Sequence, residues 1–277
     1  MISSMTLITC FVTLFVTLLL PIIAISVLSF RNKGEKMVSA WALGAAGFVV
    51  TQLIIRLPIL TALQNQPWFM GFSEDHGFLF AFTLAFTAGL FELVGRFAVA
   101  KLMQKNLSYK RSLAAGLGHG GIEAMILVGM TYLNNILYIF MINNGTFDAV
   151  VNEAAQTGVD VSALMQLKDQ LISAYPTLFL LGGFERILAM IAHLAMSMIV
   201  CYGVYSGKPG KCALLCLGIH TLIDLTAGIS LLIGKGLSQT AAYVIIYAIL
   251  TATALLSIFV IRNIHRRWQE SEGTYDI

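Results

Sequence analysis

Ionisable side chains occur inside stretches of the chain that are otherwise apolar enough to cross a membrane. Seven of them are charged: Arg56, Glu92, Arg96, Glu123, Glu185, Arg186 and Asp224. Three imidazoles lie among them: His119, His193 and His220. A charged side chain at the centre of a bilayer costs about 2.5–3.5 kcal/mol on insertion-based scales. Because such residues usually mark a functional site, this set predicts a buried polar site within the membrane.

The spacing of these residues indicates that several share a helix face. Three pairs are separated by four residues: Glu92 with Arg96, His119 with Glu123, and His220 with Asp224. Residues four apart lie on the same face of a helix. The pairs therefore predict that carboxylates, a guanidinium and imidazoles point toward one interior. Arg56 has no partner at this spacing, and we expect it to be a structural counter-ion or a snorkelling side chain.

Glycine is concentrated beside the second pair, where four of the six residues 116–121 are glycine. Small residues let a neighbouring helix or a substrate backbone approach a membrane helix closely. Tight helix packing alone would explain the glycines, but a His and a Glu on the same face favour a functional site. In the next apolar stretch we expect Arg186 to be structural, Glu185 to pair with an arginine elsewhere, and His193 to lie nearer the chemistry.

Composition indicates an all-α polytopic membrane protein with one integral membrane domain, residues 1–277. The chain is 58% hydrophobic and 11% charged, with a mean hydropathy of +0.83, whereas soluble domains are about a quarter charged. A net charge of +3 gives no indication of a nucleic-acid partner. The four cysteines lie in or beside apolar segments, so we expect packing residues rather than a disulfide framework.

Apolar segments of about 20 residues predict seven membrane spans. They are residues 5–30, 38–60, 78–101, 112–141, 176–205, 212–234 and 240–262. Alternate loops hold twelve Lys and Arg residues on one side and two on the other. The positive-inside rule then predicts an outer N-terminus and a cytoplasmic C-terminus. Residues 78–234 would carry the site, and residues 142–175 would form an extracytoplasmic loop containing a short helix near 161–174.

The residue types suit hydrolysis of an amide bond. A buried carboxylate can act as a general base on water, and histidines can share the proton or stabilise an oxyanion. The sequence has neither a Gly-x-Ser-x-Gly elbow nor a His-Glu-x-x-His motif, two common hydrolase signatures. Glutamate-activated water, which requires no cofactor, is the simplest mechanism. Metal-activated water is the alternative, because His and carboxylate ligands suit zinc or another divalent metal.

The order of these motifs resembles the YhfC family of intramembrane peptidases. The motifs are Glu92-x-x-x-Arg96, Gly118-His119-Gly120-x-x-Glu123, Glu185-Arg186 with His193, and His220-x-x-x-Asp224. The resemblance covers about residues 78–230 and implies kinship with type II CAAX prenyl endopeptidases, PrsW site-1 proteases and the multipass scaffold subunit of γ-secretase. It implies a helical membrane protease acting on a peptide or a membrane-protein segment, in the bacterial cell membrane.

The resemblance also implies individual roles. Glu92 would be the base that activates water, and Arg96 would orient Glu92. Glu123, with His119 before it, would share the role of the base. His220 and Asp224 would hold the oxyanion. The superfamily often has a second glutamate directly after the first, where this chain has Leu93, which leaves Glu123 as an alternative base.

Two other functions fit the same residues. In a transporter or channel the carboxylates and histidines would relay protons or bind a cation. In a non-catalytic scaffold, as in the γ-secretase relative, the charges would serve assembly. The sequence contains no internal repeat of the kind that many transporters show.

Overall fold

The computed structural model describes residues 1–158, 160–226, 228–229 and 236–273. Its helices are α1 (Ser4–Leu14), α2 (Leu20–Arg31), α3 (Met37–Phe48), α4 (Leu57–Gln64), α5 (Pro67–Asp75), α6 (Gly77–Leu102), α7 (Tyr109–Glu123), α8 (Met130–Asn144), α9 (Phe147–Gln156), α10 (Ser162–Ser173), α11 (Pro176–Tyr205), α12 (Pro209–Leu225) and α13 (Gln239–Glu272). Three π-helical segments join consecutive helices: π1 (Phe15–Leu19), π2 (Val49–Arg56) and π3 (Ala124–Gly129). The all-α prediction is confirmed for the described residues.

Among the described residues, six continuous helical stretches are long and apolar enough to cross a membrane. They are Ser4–Arg31, Met37–Gln64, Gly77–Leu102, Tyr109–Asn144, Pro176–Tyr205 and Gln239–Ser271. Each coincides with one of the predicted spans, so the protein is an integral membrane protein. The remaining predicted span, 212–234, begins within α12, but residues 227 and 230–235 lie outside the described part of the chain. A count of seven spans and the predicted orientation therefore stay predictions.

The chain divides into two compact units. One comprises Met1–Ile22 and Ala124–Ile187, and the other comprises Ile23–Glu123 and Leu188–Ile277. The predicted loop 142–175 falls in the first unit and contains α9 and α10. Helix α10 confirms the short helix that apolar periodicity predicted near 161–174.

The first unit is held by buried apolar side chains and by side-chain hydrogen bonds between its helices. Its core contains Cys10, Ile136, Ile139 and Leu171. The Thr13 hydroxyl donates to the Phe179 carbonyl at 2.6 Å. Because lipid is as apolar as a leucine side chain, such contacts rather than the hydrophobic effect keep membrane helices together.

The second unit depends on close approach between α3 and α7. A Cβ atom added at Gly44 would lie 1.9 Å from the Ala115 carbonyl oxygen, and one at Gly118 would lie 2.0 Å from the Trp41 carbonyl oxygen. Both obstacles are backbone atoms, which cannot move aside without displacing a helix. Glycine at these positions therefore brings the α7 backbone, which carries His119, against α3.

Gly44→Ala and Gly118→Ala should each destabilise the protein by about 1–3 kcal/mol, the usual effect of overpacking. The measurement is the unfolding midpoint of the purified full-length chain in detergent. Gly218→Ala is the matched control: it is also in a helix, but no described atom beyond its chain neighbours and own helix backbone lies within 4 Å of the added Cβ. It should leave the midpoint unchanged or raise it. Equal effects at all three positions would contradict the close α3–α7 packing.

Candidate active site

The carboxylate of Glu92 is the centre of a cluster of polar side chains in the second unit. Its Oε2 atom lies 3.0 Å from Arg96 Nη2, 3.0 Å from His119 Nε2 and 2.7 Å from His220 Nε2. His193 Nδ1 is 3.6 Å from the same oxygen. Glu92 and His119 are only 4% and 1% exposed. Four helices, α6, α7, α11 and α12, therefore direct nitrogen atoms at one buried carboxylate oxygen.

The other oxygen of Glu92 is held by Gln52, a residue that the sequence analysis did not single out. Gln52 Nε2 donates to Glu92 Oε1 and to the Ala88 carbonyl, each at 3.0 Å. Gln52 lies in π2, and π-helical segments are frequent at functional sites. The sequence could have indicated Gln52, because it is an amide side chain in an otherwise apolar span, four residues before Arg56. Gln52 leaves Oε2 as the oxygen that faces the histidines.

Arg56 is held by hydrogen bonds within the second unit. Its guanidinium donates to Gln52 Oε1 at 3.3 Å and to the Leu84 carbonyl at 2.7 Å. The expectation that it lacks a partner four residues away was wrong, because only charged partners were considered. Arg56 therefore supports Gln52 and, through it, the orientation of Glu92.

His193 connects the guanidinium of Arg96 to a second carboxylate. Arg96 Nη2 lies 2.6 Å from His193 Nδ1, and His193 Nε2 lies 2.9 Å from Glu123 Oε2. Arginine has only donors, so Nδ1 must accept and Nε2 carries the proton. The tautomer of His193 is thereby fixed, with its N–H on the side of Glu123.

His220 has a similar position between two carboxylates. Its Nε2 atom contacts Glu92, and its Nδ1 atom lies 3.3 Å from Asp224 Oδ2. The side chain of Asp224 is 34% exposed, compared with 6% for Glu92. Asp224 is therefore the more accessible end of this row of ionisable groups.

A small cavity lies behind the cluster. Arg96, His119 and Ser197 are among its lining residues, and its volume is about 10 Å³, close to the minimum for one water molecule. Four buried polar atoms of these residues have no hydrogen-bond partner among the described residues: Arg96 Nε and Nη1, His119 Nδ1 and Ser197 Oγ. Ser197 gave no signal in the sequence, because a single serine is ordinary in a membrane helix.

Glycine allows α6, α7, α11 and α12 to approach each other at this site. A Cβ atom at Gly120 would lie 2.7 Å from the Cβ of His193, and one at Gly89 would lie 3.3 Å from the Cβ of His220. The glycine-rich segment thus accommodates a neighbouring helix, one of the two roles that its composition suggested. The close approach brings the His193 imidazole within reach of Glu92.

A protein-family model described as YhfC intramembrane metalloprotease matches residues 16–250 of the chain. The chain belongs to the YhfC family. It is 32% identical over 183 residues to a Bacillus subtilis (strain 168) protein named uncharacterized membrane protein YhfC. That alignment covers 66% of this chain and 67% of the relative. No solved structure matches the chain.

The YhfC family description implies a metal ion, and the residues of the site fit one. Glu92, His119 and His193 each offer a ligand atom, and these atoms lie within 4.8 Å of one another. One carboxylate with two imidazoles is a donor set found in catalytic zinc sites. The outer nitrogen of His193 faces Glu123, as is common for histidines that bind metals. Arg96 contacts His193 Nδ1, so it would compete with a metal for that nitrogen.

The predicted YhfC site residues fall into two sets. Seven lie together in the second unit: Glu92, Arg96, His119, Glu123, His193, His220 and Asp224. Glu185 and Arg186, the predicted supporting residues, belong to the first unit, where Arg186 donates to Glu185. The expectation that Glu185 pairs with an arginine elsewhere was wrong, because the arginine that contacts it is the adjacent residue, Arg186.

Gln52→Met should lower the unfolding midpoint, because it keeps the length of the side chain and removes its hydrogen bonds. Leaving Glu92 Oε1, the Ala88 carbonyl and Arg56 without this partner should cost about 1–3 kcal/mol. The control is Gln64→Met, since Gln64 is exposed in α4. Unfolding of both variants in the same detergent gives the comparison. A midpoint equal to that of the control would show that Gln52 does not stabilise the cluster.

Proposed function

We propose that this YhfC-family protein is an intramembrane endopeptidase whose hydrolytic centre is the Glu92 cluster. The observation that carries the proposal is the convergence of Arg96, His119 and His220 on Oε2 of one buried carboxylate, with His193 beside them. Removing a carboxylate from water is unfavourable unless it is paired. A site that gathers so many proton-transferring groups around one carboxylate suits general acid–base chemistry on a peptide bond.

Glu92 is the first of two residues that could accept the proton of the attacking water. His220, 2.7 Å from Glu92 Oε2, can receive that proton and pass it toward the leaving amine. Asp224 lies on the other side of the ring, 3.3 Å from His220 Nδ1. These contacts place a carboxylate on each side of His220, so a proton can move without creating an isolated charge.

Arg96 is suited to stabilise charge that develops on the substrate oxygen. One of its nitrogen atoms contacts Glu92 and His193, while its Nε and Nη1 atoms have no partner among the described residues. Fixed donors that meet a developing oxyanion usually provide a large part of catalysis. Arg96 would therefore both fix Glu92 and offer donors to the tetrahedral intermediate.

A divalent metal is the proposed cofactor, held by Glu92, His119 and His193. When bound, it would polarise the scissile carbonyl or make water a stronger nucleophile at neutral pH. With Glu92 engaged as a ligand, Glu123 becomes the carboxylate that accepts the proton, and its 2.9 Å approach to His193 Nε2 holds it beside the site. Without a metal, Glu92 remains the base.

The proposed substrate is a peptide or a segment of a membrane protein. Glu92, Arg96 and His119 are buried, and the cavity beside them is about 10 Å³. A peptide backbone does not fit in that volume, so we expect the helices around the site to separate when a substrate binds. The more exposed Asp224 marks one side from which the cluster can be reached.

Cleavage should depend on the carboxylates of the cluster. Purified protein in lipid vesicles is incubated with a library of peptides and membrane-protein segments in ¹⁸O-labelled water, and mass spectrometry detects new labelled carboxyl termini. Glu92→Gln should reduce cleavage by about 100-fold or more, as expected for loss of an acid–base group. Glu123→Gln should do the same if Glu123 is the base. Glu153→Gln, at an exposed position in α9, is the control and should cleave normally.

Absence of cleavage by folded wild-type protein across the library would weigh against the peptidase. Ion or solute flux across the same vesicles, abolished by Glu92→Gln, would then identify the transporter alternative. If the folded Glu92→Gln and Glu123→Gln proteins cleave as well as the wild type, the assignment of the Glu92 cluster as the hydrolytic centre would be contradicted.

Metal binding should be measurable without any substrate. Wild-type protein incubated with zinc and desalted should retain about one equivalent by atomic emission, as expected for a catalytic site with three protein ligands. His119→Asn should retain much less, whereas His76→Asn, at an exposed position, should match the wild type. If a protein that retains no metal still cleaves after chelation, the proposal that a metal is required would be wrong. Glutamate-activated water would then remain as the mechanism.

A further inference from the structure

A second cavity lies in the same unit, lined by residues from the end of α11 to the start of α12 and by residues of α13. Its volume is about 380 Å³, within the range of about 300–1,000 Å³ that is usual for small-molecule sites. Helices α11 and α12 are closely packed beside it, since a Cβ at Gly203 would lie 2.5 Å from the Cβ of Cys212. None of its lining residues belongs to the Glu92 cluster.

The walls of this cavity combine two kinds of chemistry. Apolar side chains such as Ile199, Leu215 and Val260 form most of the lined surface. Three cations complete it: Lys208, Lys211 and Arg267. All three cations are exposed, and no acidic residue is among the lining residues. The cavity therefore suits a ligand that has both an apolar portion and a negative charge.

Aromatic residues indicate that this cavity lies at the level of the lipid headgroups. The apolar span of α11 ends at Tyr205, whose ring stacks on Trp268 at a centroid distance of 4.7 Å. Tyr202, which lines the cavity, also contacts the Trp268 ring. Tyrosine and tryptophan are enriched at membrane–water interfaces. The cations that follow Tyr205 therefore lie where the phosphate of a phospholipid would be found.

We propose that this cavity binds an anionic phospholipid. Its phosphate would contact Lys208, Lys211 and Arg267, and part of an acyl chain would lie against Ile199, Leu215 and Val260. Basic pockets between membrane helices commonly bind anionic headgroups, and each cation near the membrane surface strengthens that attraction. The largely apolar wall favours a lipid over free phosphate, because inorganic phosphate could not use that surface.

The test is binding of short-chain phosphatidylglycerol to the full-length protein in a neutral detergent, measured by native mass spectrometry. Phosphatidylcholine with the same chains and glycerol phosphate without chains are compared. The wild type should prefer phosphatidylglycerol, and Lys208→Gln/Lys211→Gln/Arg267→Gln should weaken that binding by about tenfold or more. A control variant removes the same charge from exposed positions outside the cavity: Lys105→Gln/Arg262→Gln/Arg266→Gln. It should retain wild-type affinity.

Equal losses in the two triple variants would overturn the site, because general surface charge would then explain binding. Glycerol phosphate binding as tightly as the lipid would show an anion site without a role for the acyl chain, and would also overturn the proposal. If the first variant does not fold, a photoactivatable phosphatidylglycerol can be cross-linked to the wild-type protein. Cross-links should map to peptides around 199–215 and 260–267, and cross-links confined to other segments would contradict the cavity.

Discussion

The arrangement of the second unit depends on keeping the carboxylate of Glu92 paired inside a membrane. A buried ionised group is very unfavourable unless it is both neutralised and hydrogen-bonded. Four side chains meet that requirement: Gln52, Arg96, His119 and His220. They come from π2, α6, α7 and α12. A displacement of any of these elements leaves either the carboxylate or one of its partners incompletely satisfied, so the charge links the helices to one another.

Glycine makes that arrangement sterically possible. Where α7 meets α11, Gly120 leaves room for the Cβ of His193, and where α6 meets α12, Gly89 leaves room for His220. Between membrane helices, close packing and hydrogen bonds take the place of the hydrophobic effect. Small residues therefore have two effects here, since they permit packing and also set the distance from each imidazole to Glu92. The packing of these helices and the geometry of the site have the same physical origin.

The sequence predicted the helices and most of the cluster, but not how its members pair. Spacing of four residues correctly predicted the Glu92–Arg96 pair, because both residues lie on one helix. It also grouped His119 with Glu123, whereas His119 contacts Glu92 and Glu123 faces His193 on another helix. Contacts between helices depend on their rotation and separation, which periodicity does not contain. Gln52 was missed because a neutral amide is a weaker signal than a charge, although its partners show that it orients the central carboxylate.

His193 makes the two candidate bases interdependent. Its Nδ1 atom accepts from Arg96, which also holds Glu92, while its Nε2 atom faces Glu123. Arg96 and His193 therefore connect the two carboxylates, so removing the charge of one changes the surroundings of the other. Crowding at Glu92 Oε2 strengthens this dependence, because a carboxylate oxygen has only two lone pairs for the nitrogen atoms around it. A substitution at one carboxylate therefore alters the other, and a base can be assigned only when both variants are compared with metal present and absent.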